Sequence, residues 1–249
     1  MKTKSKCFDY LNHLKNIMLK VEETQWDNID HSSKKLAETI QKKQSIFVFG
    51  ASHAGIVAQE MFYRTGGLAL INPILPSEFA LNTRPVIQTS DMEKLDGYTK
   101  VVLNNTPIKS GDLLILHSVS GRNPAAIEMA LEARNRGIFT IGITNMTYTK
   151  EVTSRHKSGK KLYEICDIVI DNCGDFEDSS MLIEGLGQKI APTSSVIGCT
   201  IVNMILIRTV EYLLEMGIEP PVFRSANVDG GSEFNKIIFE KYKDQIHYM

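Results

Sequence analysis

The chain has 249 residues, 43% of them hydrophobic, enough for the core of one large domain or two small ones and too apolar for a disordered or fibrous chain. Lys and Arg number 28 against 29 Asp and Glu, a net charge of −1, so no whole-chain field draws nucleic acid or an anionic membrane, and an anion site has to be built locally. Cys7, Cys166, Cys173 and Cys199 form no C-x-x-C pair and read as reduced thiols. The start, Met1–Lys6, is basic like a signal segment, but Asp9, Asn12, His13 and Lys15 break up the stretch after it, and no uninterrupted run approaches the ~18 apolar residues of a membrane span. A cytoplasmic protein without membrane association is expected.

From Phe8 to about Lys43 apolar residues recur at helical spacing, which predicts one long or two shorter helices. Ser45–Gly50 then reads as a buried strand, followed by a helix over Ala54–Tyr63. A weaker strand is expected at Leu68–Ile71, ending at Asn72 and Pro73, then a loop from Ile74 to about Thr89 and a modest helix near Asp91–Leu103. Strands at Asp112–His117, Ile138–Gly142 and Asp167–Ile170 each run into a polar loop, and Pro124 opens a helix reaching Asn135. Ser194–Met216 is helical and apolar almost all round, which suggests burial against the sheet or a subunit partner. The tail mixes Pro, Gly and Asn before a helix at Glu233–Lys243. Strands alternating with helices imply an open parallel sheet, with ligands beyond the strand carboxyl ends. The expected organisation is one domain: N-terminal helices over 1–44, an α/β core over 45–216, and a loop and helix over 217–249.

The strongest chemical signal is Ser118–Pro124, which supplies Ser118, Ser120, Gly121, Arg122 and Asn123 between a strand and a helix. Small hydroxyl residues and glycine let backbone N–H groups close on a phosphate, and the helix N-terminus adds positive potential. The alternative is an ordinary turn with Asn123 as helix cap. Gly50–Gly55 brings Ser52 and His53 to the same sheet edge, but it has no G-x-G-x-x-G and no Lys-Ser/Thr after a Walker spacing, so dinucleotide and ATP readings fall. Ala191–Ser195 again sets hydroxyls (Thr193, Ser194, Ser195) at a helix start.

With Ser118, Ser120, Gly121 and Asn123 spelling Ser-x-Ser-Gly-x-Asn, and with Ser52 and Thr193–Ser195 in the flanking loops, the chain resembles sugar isomerase (SIS) domain proteins over roughly Lys34 to Leu214. Small phosphoheptose isomerases, and a group ending in a segment like Ser225–Asn235, look most similar. The resemblance implies an α/β three-layer sandwich with a five-stranded parallel sheet, helical additions at both ends, a homodimer or homotetramer, and a phosphorylated sugar gripped by the serine loop. It does not supply the catalytic pair: phosphoheptose isomerases carry a glutamate after the first helix and a histidine in the late helix, and neither Arg64–Gly67 nor the first turns of Ser194–Met204 offers a match.

Aldose–ketose isomerisation needs a base to move a proton between C1 and C2 and a group to open the ring. Candidates are His53, whose loop points at the proposed ligand, His156 within the basic run Ser154–Lys161, Glu184, and Glu233 in the Gly-rich tail, with Glu60, Glu78 and Asp229 behind them. Each also has a plain structural reading: a capping histidine, a solvated basic run, a surface turn, a glycine turn before a helix. The cluster Asp171, Asp175, Glu177 and Asp178 lacks metal-loop spacing, so no metal and no cofactor is expected. The expected function is a phosphosugar isomerase, with an amino-sugar phosphate lyase or etherase, or a noncatalytic phosphosugar sensor or partner-binding protein, as alternatives.

Overall fold

The computed structural model describes residues 5–249; the basic segment Met1–Lys4 lies outside them. The N-terminal periodicity forms one helix, α1 (Lys6–Gln41), about 54 Å long at the standard helical rise. Five parallel strands follow: β1 (Ile46–Gly50), β2 (Ile71–Ile74), β3 (Leu113–His117), β4 (Phe139–Thr144) and β5 (Ile168–Asp171), in the spatial order β2-β1-β3-β4-β5. The direction of winding reverses between β1 and β3, the place where an open α/β sheet leaves a crevice at its carboxyl edge.

Strand alternation decides which helices cover which face. Leu113 and Ile115 of β3 pack with Ile46 and Val48 against α1, α2 (Gly55–Met61) and α7 (Ser194–Glu215). Leu114 and Leu116 pack with Phe47 and Phe49 under α4 (Tyr98–Asn104) and α5 (Pro124–Asn135). By the same parity His117 turns toward α2 and α7. α7 is long and apolar enough to cross a membrane by length and composition. Here one face packs against α1 and α2, with the Ser33 hydroxyl donating to the Ile205 carbonyl at 3.1 Å, while Val196, Ile207 and Leu214 stay exposed on the other.

Three expected elements move. The strand expected at Leu68–Ile71 starts only at Ile71 and runs through Pro73, because Leu68 and Ala69 are taken by the tail: Leu68 bridges Val222, and the Ala69 amide donates to the Pro221 carbonyl at 2.8 Å. Pro73 is tolerated because β2 is outermost. The loop expected to Thr89 already turns into α3 (Ile87–Met92), and the helix expected over Asp91–Leu103 is split into α3 and α4 by Gly97, whose φ of 86° ends helical geometry. A two-stranded antiparallel hairpin, β6 (Met181–Leu182) with β7 (Lys189–Ile190), has no counterpart in the sequence expectations because its strands are too short to show a period. α6 (Met146–Glu151) follows β4, and α8 (Gly231–Lys241) closes the chain.

The tail beyond α8 is tied to β2 through buried Asn72, whose amide donates to Ile46 O at 3.1 Å and Gln245 O at 2.9 Å while its oxygen accepts from the His247 amide at 2.7 Å. Asn72→Ala is expected to cost about 1–2 kcal/mol of stability and to expose the tail to protease. Urea melts and limited proteolysis check this; an unchanged midpoint with an intact tail would refute it.

Candidate functional site

A cleft of about 430 Å³ opens at the carboxyl edge of the sheet, between the loops after β1 and β3. Ser52, His53 and Ala54 line it from the first loop, Ser118, Val119, Ser120 and Asn123 from the second, Thr89, Ser90 and Glu93 from α3 and its end, and Tyr148 and Asp178 from the far side.

The Ser118 loop is held by its carbonyls. Val119 O accepts from the Asn145 amide at 3.0 Å, Gly121 O from Leu162 N at 2.9 Å, and Arg122 O from Arg155 N at 2.9 Å. No backbone N–H from Val119 through Asn123 has a protein acceptor among the described residues, and the hydroxyls of Ser118 and Ser120 are likewise unengaged. Gly121 is required at its position: its φ is +59°, and a Cβ there would lie 3.0 Å from Thr144 Oγ1 and 3.2 Å from Thr149 Oγ1. Run into the N-terminus of α5, this loop is a concave set of N–H donors suited to an anion.

Buried polar atoms without protein partners gather at the same edge. Of the seven such side-chain atoms among the described residues, six belong to Ser52, His117, Arg122, Thr149, Asn172 and Thr193, at strand ends or in the loops and helix starts near them, and the seventh to Ser32. Each unmet group of this kind costs about 1–3 kcal/mol; of the six residues, Ser52 and His117 line the cleft.

Carboxylates face the anion loop. Glu93 accepts from the Asn123 side-chain amide at 2.8 Å, and Asp178 accepts from Thr193 N at 3.1 Å, Ser194 N at 3.0 Å and Ser194 Oγ at 2.6 Å. Arg155, which donates to the Asn123 side chain at 3.0 Å, adds positive charge behind the loop, and the remaining polar wall suits hydroxyl groups. His117 is buried, with Nδ1 3.0 Å from Ala54 O; desolvation lowers its pKa, opposed by that hydrogen bond and by Asp178.

Several candidates from the sequence stand apart from this cleft. His156 is buried beneath α5: its Nδ1 sits 2.8 Å from Ser158 Oγ and accepts from Ser158 N at 3.2 Å, and its Nε2 is 3.9 Å from Glu128. It is a packed local hydrogen-bonding group outside the cleft lining, and Glu128 beside it holds the Gly97 amide and Thr99. Asp96, Glu128 and His156 bring ligand atoms within 4.8 Å of one another, but both Glu128 oxygens already accept from the Gly97 amide, and the trio carries no metal assignment. Glu184 is exposed in the β6–β7 turn and Glu233 is exposed on α8, and neither lines the cleft. Gly121 and Arg122 shape the loop from behind, while Thr193, Ser194 and Ser195 lie outside the lining, their helix start occupied by Asp178. Asn123 holds the cap position of α5 without capping it; its side chain instead bridges Glu93 and Arg155.

His117, Asp178 and Glu93 line the cleft without belonging to any motif in the sequence. His117 was the last residue of an apolar strand, and a histidine there directly before Ser118 was the available signal. In the sequence Asp178 belongs to an acidic cluster; in the fold Glu177 and Asp178 adopt consecutive left-handed conformations, φ 60° and 53°, that swing it onto α7.

Residues 9–145 match the SIS domain. A UPF0309 protein of Oceanobacillus iheyensis is 46% identical over 241 residues, 97% of this chain and 98% of that one. One from Shouchella clausii is 49% identical over 214 residues, 86% and 87% of the two chains. Among solved structures, a phosphoheptose isomerase from Francisella tularensis superposes with a TM-score of 0.55 at 12% identity, covering 83% of this chain and 97% of that one, and one from Neisseria gonorrhoeae with 0.51 at 16%, covering 82% and 95%. These two share the fold. With a domain match over more than half its length and relatives aligned almost end to end, the chain belongs to the SIS-domain family and, within it, to the UPF0309 group.

Proposed function

We propose that the cleft binds a phosphorylated sugar and that the protein isomerises it by proton transfer between C1 and C2. The observation that carries the binding half is the run of five unengaged backbone amides from Val119 to Asn123, framed by the Ser118 and Ser120 hydroxyls at the start of α5. The opposite wall, with Ser52, Thr89, Ser90, Glu93 and Asp178, offers the donors and acceptors that sugar hydroxyls need. The named phosphoheptose isomerases of the same fold support this reading, in which His53 at the rim serves ring opening. A noncatalytic sensor is the second reading, favoured by the hydrogen bonds that already engage both cleft carboxylates. A homodimer or homotetramer in the cytoplasm belongs to this reading; the apolar groove between α1 and α7, where Leu19 and Trp26 are exposed, supports the association of copies.

Ser120→Ala is expected to weaken binding of a sugar 6-phosphate by about 1.5 kcal/mol, roughly tenfold, through loss of a charge-assisted hydrogen bond. Calorimetry with hexose, heptose and amino-sugar 6-phosphates tests it. Equal affinity for wild type and variant would remove the phosphate assignment.

A further inference from the structure

The tail segment Ser225–Asn235 takes no part in the cleft. Together with the turn after α2 it lines a separate recess of about 320 Å³, the size of a small-ligand pocket. Backbone bonds fix the walls of this recess to one another. Gly66 N donates to Phe223 O and Phe223 N to Gly67 O, each at 3.0 Å, while the Asn235 oxygen accepts from Arg224 N and its amide donates to Arg224 O, each at 2.9 Å. Gly231 is required for this packing, since a Cβ there would stand 1.9 Å from Ser225 O. The floor is aromatic: the ring centroids of Phe223 and Phe239 lie 5.2 Å apart, and that of Tyr63 approaches them at 5.8 and 6.3 Å. Tyr63 is nevertheless 63% exposed, on a backbone φ of 44° that a bulky residue rarely adopts. The rim is cationic. Arg64 is paired with Glu60, but the Arg224 guanidinium and the Lys236 ammonium have no acceptor among the described residues. Arg224 lies 3.9 Å over the Phe234 ring, which holds its planar fork in place and leaves its donors free.

We propose that this recess is a second ligand site, for a nucleoside monophosphate, independent of the sugar-phosphate cleft. Arg224 and Lys236 take the phosphate by charge-assisted hydrogen bonds, and the base lies against Tyr63. An aromatic face accepts any base, so recognition rests on stacking together with charge and not on base edges. Arg64 is held by Glu60, which leaves no third free cation among the described residues of the lining for a longer phosphate chain. A simple sugar phosphate has no flat ring to cover Tyr63, and this separates the ligand class of the recess from that of the cleft.

Calorimetry on the full chain with AMP, UMP, adenosine and inorganic phosphate tests this. AMP and UMP should both bind, and adenosine and phosphate should each bind at least about tenfold more weakly than AMP. Arg224→Ala, Lys236→Ala and Tyr63→Ala should each weaken AMP binding at least about fivefold, whereas Ser120→Ala in the cleft loop should change it less than about twofold. Arg224 and Lys236 are exposed, so their variants keep the fold and carry the test if Tyr63→Ala does not fold. Wild-type protein that binds neither nucleotide at millimolar concentration overturns the proposal, as does phosphate binding as tight as that of AMP. AMP affinity unchanged in either cation variant, or lost in Ser120→Ala, puts the nucleotide elsewhere and also overturns it. Sugar phosphates probe the Ser120 loop in a separate titration, so failure here leaves the reading of the cleft intact.

Discussion

Gly50→Ala should lower the melting temperature by roughly 6–12 °C, the equivalent of about 3 kcal/mol in a chain of this size, and abolish measurable sugar-phosphate binding. A Cβ at Gly50 would lie 2.3 Å from Ala54 O, 2.5 Å from Ala54 C and 2.9 Å from Gly55 N. These are backbone atoms at the start of α2, so relief requires moving the turn that carries Ser52 and His53 and displacing the carbonyl that orients His117. Gly187→Ala is the matched control, because a Cβ there meets nothing within 4 Å. A Gly50 variant that melts with the control and binds normally would show that the turn yields where the geometry says it cannot.

Asp178→Ala is expected to cost about 3 kcal/mol, because one carboxylate holds the Thr193 and Ser194 amides and the Ser194 hydroxyl at the positive end of α7. Alanine removes all three acceptor contacts and leaves a non-glycine residue at φ 53° with no compensating hydrogen bond. Asp178→Asn keeps one acceptor oxygen and a side chain that tolerates this conformation, so its loss should be about half as large. Chemical denaturation of both variants checks the ordering; an alanine variant as stable as wild type would mean that solvent replaces the carboxylate without penalty.

The fold was legible because its signals are short-range and repeated. Apolar runs such as Ile46–Gly50 and Leu113–His117 end in polar loops, and a parallel sheet buried on both faces leaves that pattern. The serine loop was legible for the same reason, since its hydroxyls, glycine and helix start are contiguous. The rest of the cleft comes from segments far apart in the chain, Thr89 to Glu93, His117 and Asp178, whose convergence depends on the reversal between β1 and β3 and on two left-handed residues. His156 misled for the converse reason: its basic neighbours suggested an anion clamp, while its ring turns inward to Ser158 and Glu128. Nothing local in Leu68–Pro73 shows that the tail claims the first part of that segment and shifts the strand.

The tethered tail also bears on how the molecule keeps company with its own kind. An outermost strand is a template for another chain, and this sheet has two. On one side Pro73 removes a donor, Asn72 is occupied by Gln245 and His247, and Tyr248 Oη donates to Ala69 O at 2.8 Å. On the other, the Asp171 amide is taken by Gln25 Oε1 of α1 at 3.0 Å. With a proline and an anchored tail at one border and the Asp171 amide taken at the other, strand-to-strand stacking, the route to fibrils, is hindered at both, and the helical faces offer ground on which copies can meet.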